Sequence, residues 1–406
     1  PEGLLYATVR HCPMIGGSPA RVDVDATLRR PGVERVVRLG RTAGATSGVA
    51  VVARSTWHAM QAARTMDVVW RPPPHEPDVG LLDTQRIDDA LEQAARAAQE
   101  AAGGVPFHRR GDVDTAEAAA ARHHEAVYHA PYLAHATMEP MNCTAQVRDG
   151  RVTLWVPTQA PTFAREVAAR VAGVDVEAVD LHITLLGGGF GRRLDVDYVA
   201  QAVRIAMETG GRPVQLVWSR EEDFTHDFYR PAGVAVMRAA LDARGRPQAL
   251  RMTVAGDAIT PRWIARNRPA WATRFDAPDK TAAEGFFDLP YAVPHQRIAQ
   301  QATRSGVPIG YWRAVGHSHH AFFTECFIDE LAHEAGQDPV AFRLSLLDRH
   351  PRFATVLKLA AEKAQWGRPL PPGRARGVAL HESFGSIVAE VMEVSLDSGR
   401  PRVHRV

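Results

Sequence analysis

The chain has 406 residues, of which 45% are hydrophobic and 23% charged, with a formal net charge of +2. That length accommodates two or three domains with sizeable cores, and so even a charge balance favours neither nucleic acid nor a membrane surface as partner. Cys12, Cys143 and Cys326 are scattered, too few for the four thiolates of an ordinary iron–sulfur cluster and unpromising as a disulfide framework.

Residues 1–75 read as a small mixed domain. "GLLYATVRH", "RVVRLG" and "GVAVVA" have strand character, and "STWHAMQAARTM" has helical spacing with Ser55 as N-cap. A further strand, "DVVW", stops at the breaker run "RPPPHEP". Residues 76–122 follow as linker and connector helix, "DTQRIDDALEQAARAAQEAAGG", closed by Gly103 and Gly104.

From residue 123 the pattern becomes strand-rich. "MEPMNCTAQVRDGRVTLWVPTQ" predicts two strands around the Asp149-Gly150 turn, and "APTFAREVAARVAG" a helix ending at Gly173. "VDLHITLLGGGFGRRLDVDYVAQAVRIAMETGG" reads as strand, glycine loop and helix, and "PVQLVWSREEDF" as another strand. "QDPVAFRLSLL" is a helix with Asp338 as N-cap and Pro339 at its first position. The last 30 residues alternate like a hairpin around "DSGR". The expected class is α+β: a small α/β domain, then mixed α/β domains over 123–345 and, incomplete, 346–406. No apolar run approaches the roughly 20 residues needed to cross a bilayer. The opening on Pro1 and the close inside an alternating run read as an internal portion of a longer polypeptide.

The stretch "LLGGGFGRR" (185–193) puts four glycines in five positions around Phe190. A phosphate-binding loop needs Gly-Lys-Ser/Thr next, and Arg192, Arg193 and Leu194 stand there instead. A dinucleotide fingerprint fails because its sixth position is Arg192, which also disfavours a nicotinamide-dependent dehydrogenase. A plain tight turn needs one or two glycines. Free amides at Gly189, Phe190 and Gly191 before a helix suit an anionic or oxo group, so close approach by a large polar cofactor is the reading of this loop.

"GGGFGRR" resembles the glycine-Phe-glycine loop of the molybdenum hydroxylases, the xanthine dehydrogenase and aldehyde oxidase family, whose large subunit binds a molybdopterin. Other segments stand in the family's order. "HATMEPMNCTAQV" is similar to its Met-Glu-Pro strand, "VPTQAPTFAR" to its Thr-Gln loop, and "GYWRAVGHSHHAFFTECFIDELAHEAGQDPVAFRLSLL" to its arginine loop and following helix. "GLLYATVRHCPMIGGSPARVD" resembles its small hammerhead domain. "WRAVG" and "HESFGSIVAEVMEVS" most resemble the branch of isoquinoline 1-oxidoreductase β-subunits and membrane-bound aldehyde dehydrogenase large subunits.

The resemblance implies an oxidoreductase that hydroxylates an N-heteroaromatic ring or oxidises an aldehyde with water-derived oxygen. It implies a molybdenum-molybdopterin cofactor, in the cytosine dinucleotide form, whose metal is held by the pterin and not by side chains. It implies a separate subunit with two [2Fe-2S] clusters, with cytochrome c among the acceptors, and a small-molecule substrate. By matching positions, Gly188, Gly189, Phe190, Gly191, Arg192 and Gln159 would bind the cofactor. Phe190 and Gly191 would offer amides to an oxo ligand, and Gln159 would donate to an oxo or pterin oxygen without adding charge. Arg313 would reach a cofactor or substrate oxygen, so Gln159 and Arg313 are the catalytic candidates.

Competing roles stand beside these. Gln159 could cap the helix that follows it, and Arg313 could pair with Glu325 or Asp329. His317, His319 and His320 read as a polar loop and not as metal ligands, and Glu139 as part of a structural strand beside the cofactor. The family's catalytic glutamate sits in a Gly-x-Gly-Glu motif that is absent from these 406 residues, so it is expected beyond Val406. The same absence motivates the alternative of a non-catalytic member that keeps the fold without cofactor. Arg193 replaces the lysine of the xanthine branch, and Leu194 stands where purine-hydroxylating members carry a glutamate, which argues against xanthine as substrate.

Overall fold

Two large sheets organise the chain. In a computed structural model that describes residues 1–73, 82–101, 103–269 and 279–406, the first sheet has seven strands. Their spatial order is Val179–Ile183, Arg151–Val156, Asn142–Arg148, Val214–Val217, Leu5–His11, Gly48–Ala53 and Val33–Leu39. Leu5–His11 runs parallel to Val214–Val217, so strands from the first 75 residues share one sheet with strands from beyond residue 123. Gly48–Ala53 is buried along its whole length, as a continuous apolar run demands when both faces are covered. Val49 and Val51 pack with Ala62, Ala63 and Met66, while Ala50 and Val52 join the core around Tyr198, Val199 and Val203.

The second sheet has the order Val105–Arg110, His295–Thr303, Pro247–Asp257, Gly233–Leu241 and Arg122–Ala130. The helix Thr84–Glu100 covers one face through Leu91 and Ala95. The helix His317–Glu334 covers the other through Phe323, Phe327 and Leu331, which share a core with Leu357, Val378, Leu380 and Val391. Residues beyond 346 thus pack into the core of this sheet.

Local chemistry sets the element ends. Ser55 caps Thr56–Thr65 by accepting from the His58 amide, and Asp338 caps Pro339–Ser345 by accepting from Val340 and Ala341. Gly173 ends Pro161–Ala172 in the left-handed region at φ 71°. The strand expected over "PVQLVWSREEDF" is only Val214–Val217, because Ser219 accepts from the Glu222 amide and starts a helix, Arg220–Thr225. Ser219 and Glu222 have the spacing of a capping box. The final segment is a three-stranded sheet, Arg374–Ser383, Ser386–Asp397 and Arg400–Arg405. Its turns carry Phe384-Gly385 and Ser398-Gly399, all at positive φ, the geometry that tight hairpins require. The breaker run at 71–77 lies mostly outside the described residues. Among the described residues no helix is long and apolar enough to cross a membrane.

Val179–Ile183 and Arg151–Val156 are parallel, with Ile183 opposite Val156. The chain therefore leaves both strands at the same edge, and residues 157–159 emerge beside 184–191. Ligand crevices in such sheets form at the carboxyl ends of the strands.

Candidate functional site

The glycine loop is gripped by its own chain. A β-carbon on Gly187 would stand 2.3 Å from Glu139 Cβ, one on Gly189 2.5 Å from Gln159 Oε1, and one on Gly191 1.8 Å from the Tyr311 carbonyl oxygen. Gly188 and Gly191 adopt φ of 100° and 102°, which side-chain-bearing residues rarely reach. Other segments of this protein thus already require these glycines, and a cofactor is not needed to explain their number.

The loop's polar groups divide into spent and free. Gln159 Oε1 accepts from the Gly191 amide at 3.1 Å. The Phe190 carbonyl accepts from the Arg313 amide at 2.8 Å, and the Gly189 carbonyl from the Arg192 amide at 2.9 Å. Among the described residues, the amides of Gly189 and Phe190 and the Nε2 of Gln159 have no hydrogen-bond partner. The Arg313 guanidinium lies 5.7 Å from the Phe190 ring centroid, within cation–π range. Gln159, Phe190 and Arg313 are all exposed, and the structure brings the three together on one face.

Neither Gln159 nor Arg313 takes its competing role, and the helix Pro161–Ala172 has no side-chain cap. Thr158 Oγ1, not Gln159, accepts from the Ala160 amide before the helix. Arg343, not Arg313, pairs with Glu325 and Asp329.

Arg192 is placed away from that face. It is 1% exposed and donates to both oxygens of Asp197 at 2.9 Å, with Nε 3.0 Å from Asp227. Burial disfavours its charge, yet Asp197, Asp227 and Asp195 outweigh that and hold its pKa above the usual arginine value. Its side chain anchors the loop from beneath, and its amide is spent on Gly189. Arg193, wholly buried, donates to the carbonyls of Gly188, Pro157 and Glu139 and to the Glu139 carboxylate at 2.7 Å. Glu139 Oε2 also accepts from the Gly187 amide at 3.0 Å, which makes Glu139 a brace for the loop.

Two buried groupings went unread in the sequence. Asp195 accepts from Arg266 Nε and Nη2 at 2.5 and 3.0 Å and from Asn267 at 3.1 Å. Asp227 accepts from His135 Nδ1 at 2.9 Å, while His135 Nε2 lies 2.8 Å from the Tyr311 carbonyl oxygen. His317, His319 and His320 do not form an exposed polar loop. They open the helix His317–Glu334 and are buried, and burial pushes His320 down to about 3.

Among the described residues, His11, Glu222 and His226 bring three ligand-type atoms within 4.8 Å of one another. Hydrogen bonds give these atoms other work. Trp218 Nε1 donates to Gln201 Oε1 at 3.1 Å, which turns the Gln201 NH2 toward His11 Nε2 at 2.8 Å. His11 therefore carries its proton on Nδ1 and donates it to Glu222 at 2.7 Å. A cation bound at that nitrogen would have to expel the proton.

Residues 97–346 match the family of molybdopterin cofactor-binding domains. The chain belongs to this molybdopterin-binding family of the molybdenum hydroxylases. It is 32% identical, over 97% of its own length and 49% of the relative's, to isoquinoline 1-oxidoreductase subunit beta of Brevundimonas diminuta. It is 28% identical, over 93% and 50%, to a membrane-bound aldehyde dehydrogenase of Gluconacetobacter polyoxogenes. In fold it is similar to an aldehyde oxidoreductase from Desulfovibrio gigas, with a TM-score of 0.69 at 18% identity over 96% of this chain and 49% of that one. The chain thus spans about half the length of the curated relatives it matches.

The exposed face suits a molybdopterin in the chemistry of its donors. The unspent Phe190 amide, a carboxamide NH2 and a guanidinium stand there, and the neighbouring Glu139 carboxylate is neutralised by Arg193. Such a set favours an oxygen-rich, anionic group and adds no opposing negative charge.

Proposed function

We propose that this chain is the molybdopterin-bearing portion of an oxidoreductase subunit that hydroxylates an N-heteroaromatic ring or oxidises an aldehyde. The observation that carries the reading is the convergence of the free Gln159 Nε2, the free Phe190 amide and the Arg313 guanidinium at the gripped glycine loop. Relatives named as an isoquinoline oxidoreductase and an aldehyde dehydrogenase supply the two substrate classes. The cofactor of this reading is the cytosine dinucleotide form, which when bound would supply a redox centre for a two-electron oxidation of the substrate carbon with oxygen from water.

Each residue has a part. The Phe190 amide and Gln159 Nε2 would donate to an oxygen of a bound molybdopterin, and Gly191 keeps Gln159 in that orientation by donating to its Oε1. Gly188 and Gly189 bring the backbone close, Arg192 holds the loop from below, and Arg313 steadies negative charge on a cofactor or substrate oxygen. The electrons would pass to a separate subunit with two [2Fe-2S] clusters, with cytochrome c among the onward acceptors. Along the sequence, a hammerhead-like segment to residue 75, a connector to 122 and cofactor-binding segments to 345 and beyond belong to the same reading, with strands of the first completing a sheet of the third.

The test is to coexpress the full-length protein with its iron–sulfur subunit and to assay molybdenum and nucleotide. Acid hydrolysis is expected to release one cytidine nucleotide per molybdenum. A complex that carries its iron–sulfur clusters yet repeatedly holds no molybdenum overturns the reading and favours a non-catalytic member of the family.

A further inference from the structure

We infer that His135 is a positioning residue of this site: braced by Asp227, it sets the carbonyl of Tyr311 and so the register of residues 311–313 against Phe190 and Gly191. The inference rests on the function proposed above. His135 stands at 6% exposure between two oxygen acceptors. Its Nδ1 is 2.9 Å from both oxygens of Asp227, and its Nε2 is 2.8 Å from the Tyr311 carbonyl oxygen. Each ring nitrogen thus faces an oxygen, a carboxylate on one side and a backbone carbonyl on the other. The His135 amide adds a donor, to Asp227 Oδ2 at 2.6 Å.

Asp227 is equipped to hold that ring. It also accepts from the Phe228 amide at 2.7 Å and lies 3.0 Å from Arg192 Nε. Burial raises its pKa, but His135 and Arg192 outweigh burial and keep the carboxyl below the usual aspartate value. A continuous buried chain results, from Asp197 through Arg192 and Asp227 to His135 and the Tyr311 carbonyl. One end supports the glycine loop and the other the arginine loop.

The carbonyl it holds is the one that matters for the face above. Tyr311 O fills the space that a β-carbon on Gly191 would take. Two residues on, the Arg313 amide donates to Phe190 O, and between them Trp312 Nε1 donates to Ala134 O at 3.1 Å. Residues 134–135 thus hold residues 311–312 directly, across 176 positions of sequence. The Tyr311 side chain is anchored separately, its hydroxyl 2.9 Å from Thr260 Oγ1. Without the imidazole, the carbonyl loses its donor and the 311–313 backbone is free to shift by a fraction of an ångström. Such a shift moves Arg313 relative to Phe190 and Gln159.

The test uses His135→Gln, which keeps one donor for the carbonyl, and His135→Leu, which keeps none. Hydrogen–deuterium exchange on the purified full-length protein reads the contact itself, whether or not cofactor is present. The peptide covering residues 311–313 is expected to exchange about tenfold faster in His135→Leu, and by a smaller factor in His135→Gln. Peptides from the helix Thr56–Thr65, outside this chain of contacts, stay at wild-type rates. In the loaded complex, kcat is expected to fall about tenfold or more while KM changes little, with an altered Mo(V) electron paramagnetic resonance signal. Wild-type exchange over 311–313 in a folded variant overturns the inference, as do wild-type kcat and spectrum in the loaded one. If His135→Leu fails to fold, His135→Gln decides by the same readings. A wild-type complex without molybdenum would instead refute the proposed function and leave the exchange result to judge His135.

Discussion

The carbonyl oxygen of Tyr311 sits 1.8 Å from where a β-carbon on Gly191 would stand, so the two loops touch only because residue 191 has no side chain. Gly191 also holds φ at 102°, a conformation that costs an L-residue of order 1–3 kcal/mol even without a clash. Gly191→Ala is therefore expected to lose stability by more than about 3 kcal/mol in urea denaturation and to retain little molybdenum. Gly150→Ala is the control. Gly150 has φ 72° but nothing within 4 Å of the added carbon, and its cost should stay near the backbone term of about 1–2 kcal/mol. Equal costs at the two positions would mean that the loops do not meet as described.

Gln159→Glu separates the two ends of one carboxamide. Glutamate keeps an oxygen for the Gly191 amide but replaces the free NH2 with negative charge. Because the side chain is exposed, stability should change by less than about 0.5 kcal/mol. Loss of one preorganised donor at a charged centre costs about 100-fold or more in kcat, measured on the loaded complex under saturating substrate. A Gln159→Glu enzyme with wild-type kcat would remove Gln159 from the site.

What was legible in the sequence follows from how far each feature reaches. Gln159, Phe190 and Arg313 each stand inside a contiguous motif; two parallel strands that end at one edge bring Gln159 to Phe190, whereas Arg313 arrives from beyond His295–Thr303 of the second sheet and is held there by its amide on the Phe190 carbonyl. The identity of Arg192 was readable, but its destination was not. Nothing in "GGGFGRR" says that both guanidiniums turn inward, since the carboxylates that receive them, Asp197, Asp227 and Glu139, are supplied by three separate segments. His135 and Asp227 are 92 positions apart and Asp195 and Arg266 are 71; no local pattern marks either pair. The helix at Arg220 was readable from its Ser219-to-Glu222 spacing, but the apolar run before it drew the reading toward strand.

Arg343 anchors the helix His317–Glu334 to the segment that follows. It donates to Glu325 Oε2 and to the Glu325 carbonyl at 2.9 Å each and also engages Asp329. Its side chain is wholly buried and that of Glu325 is 5% exposed. Arg343→Met removes one partner and leaves the Glu325 carboxylate buried, a change that costs about 3–5 kcal/mol. Arg204→Ala breaks a pair that is 41% and 43% exposed and should cost less than about 0.5 kcal/mol. Chemical denaturation of the two variants side by side checks the contrast, and similar midpoints would show that the Arg343 cluster does not bear on stability.

A neutral histidine in the first turn of the same helix, His320, and another on the strand Arg374–Ser383, His381, give the fold an acid limit. Burial, with smaller contributions from neighbouring rings, brings His320 down to about 3 and His381 to about 4 from an ordinary 6.5. His381 Nε2 lies 3.0 Å from His317 Nδ1. The folded values lie below the unfolded one. The stability tied to these neutral rings is therefore complete above pH 6.5 and declines as pH falls toward 4 and then 3, because only the unfolded chain takes up the protons. The slope is up to about 1.4 kcal/mol per pH unit for each ring. His381→Gln removes one contribution, so its stability should fall less steeply than wild type between pH 6.5 and 4. Urea denaturation at half-unit steps across that range measures both slopes; parallel curves would show that His381 titrates alike in the folded and unfolded chain.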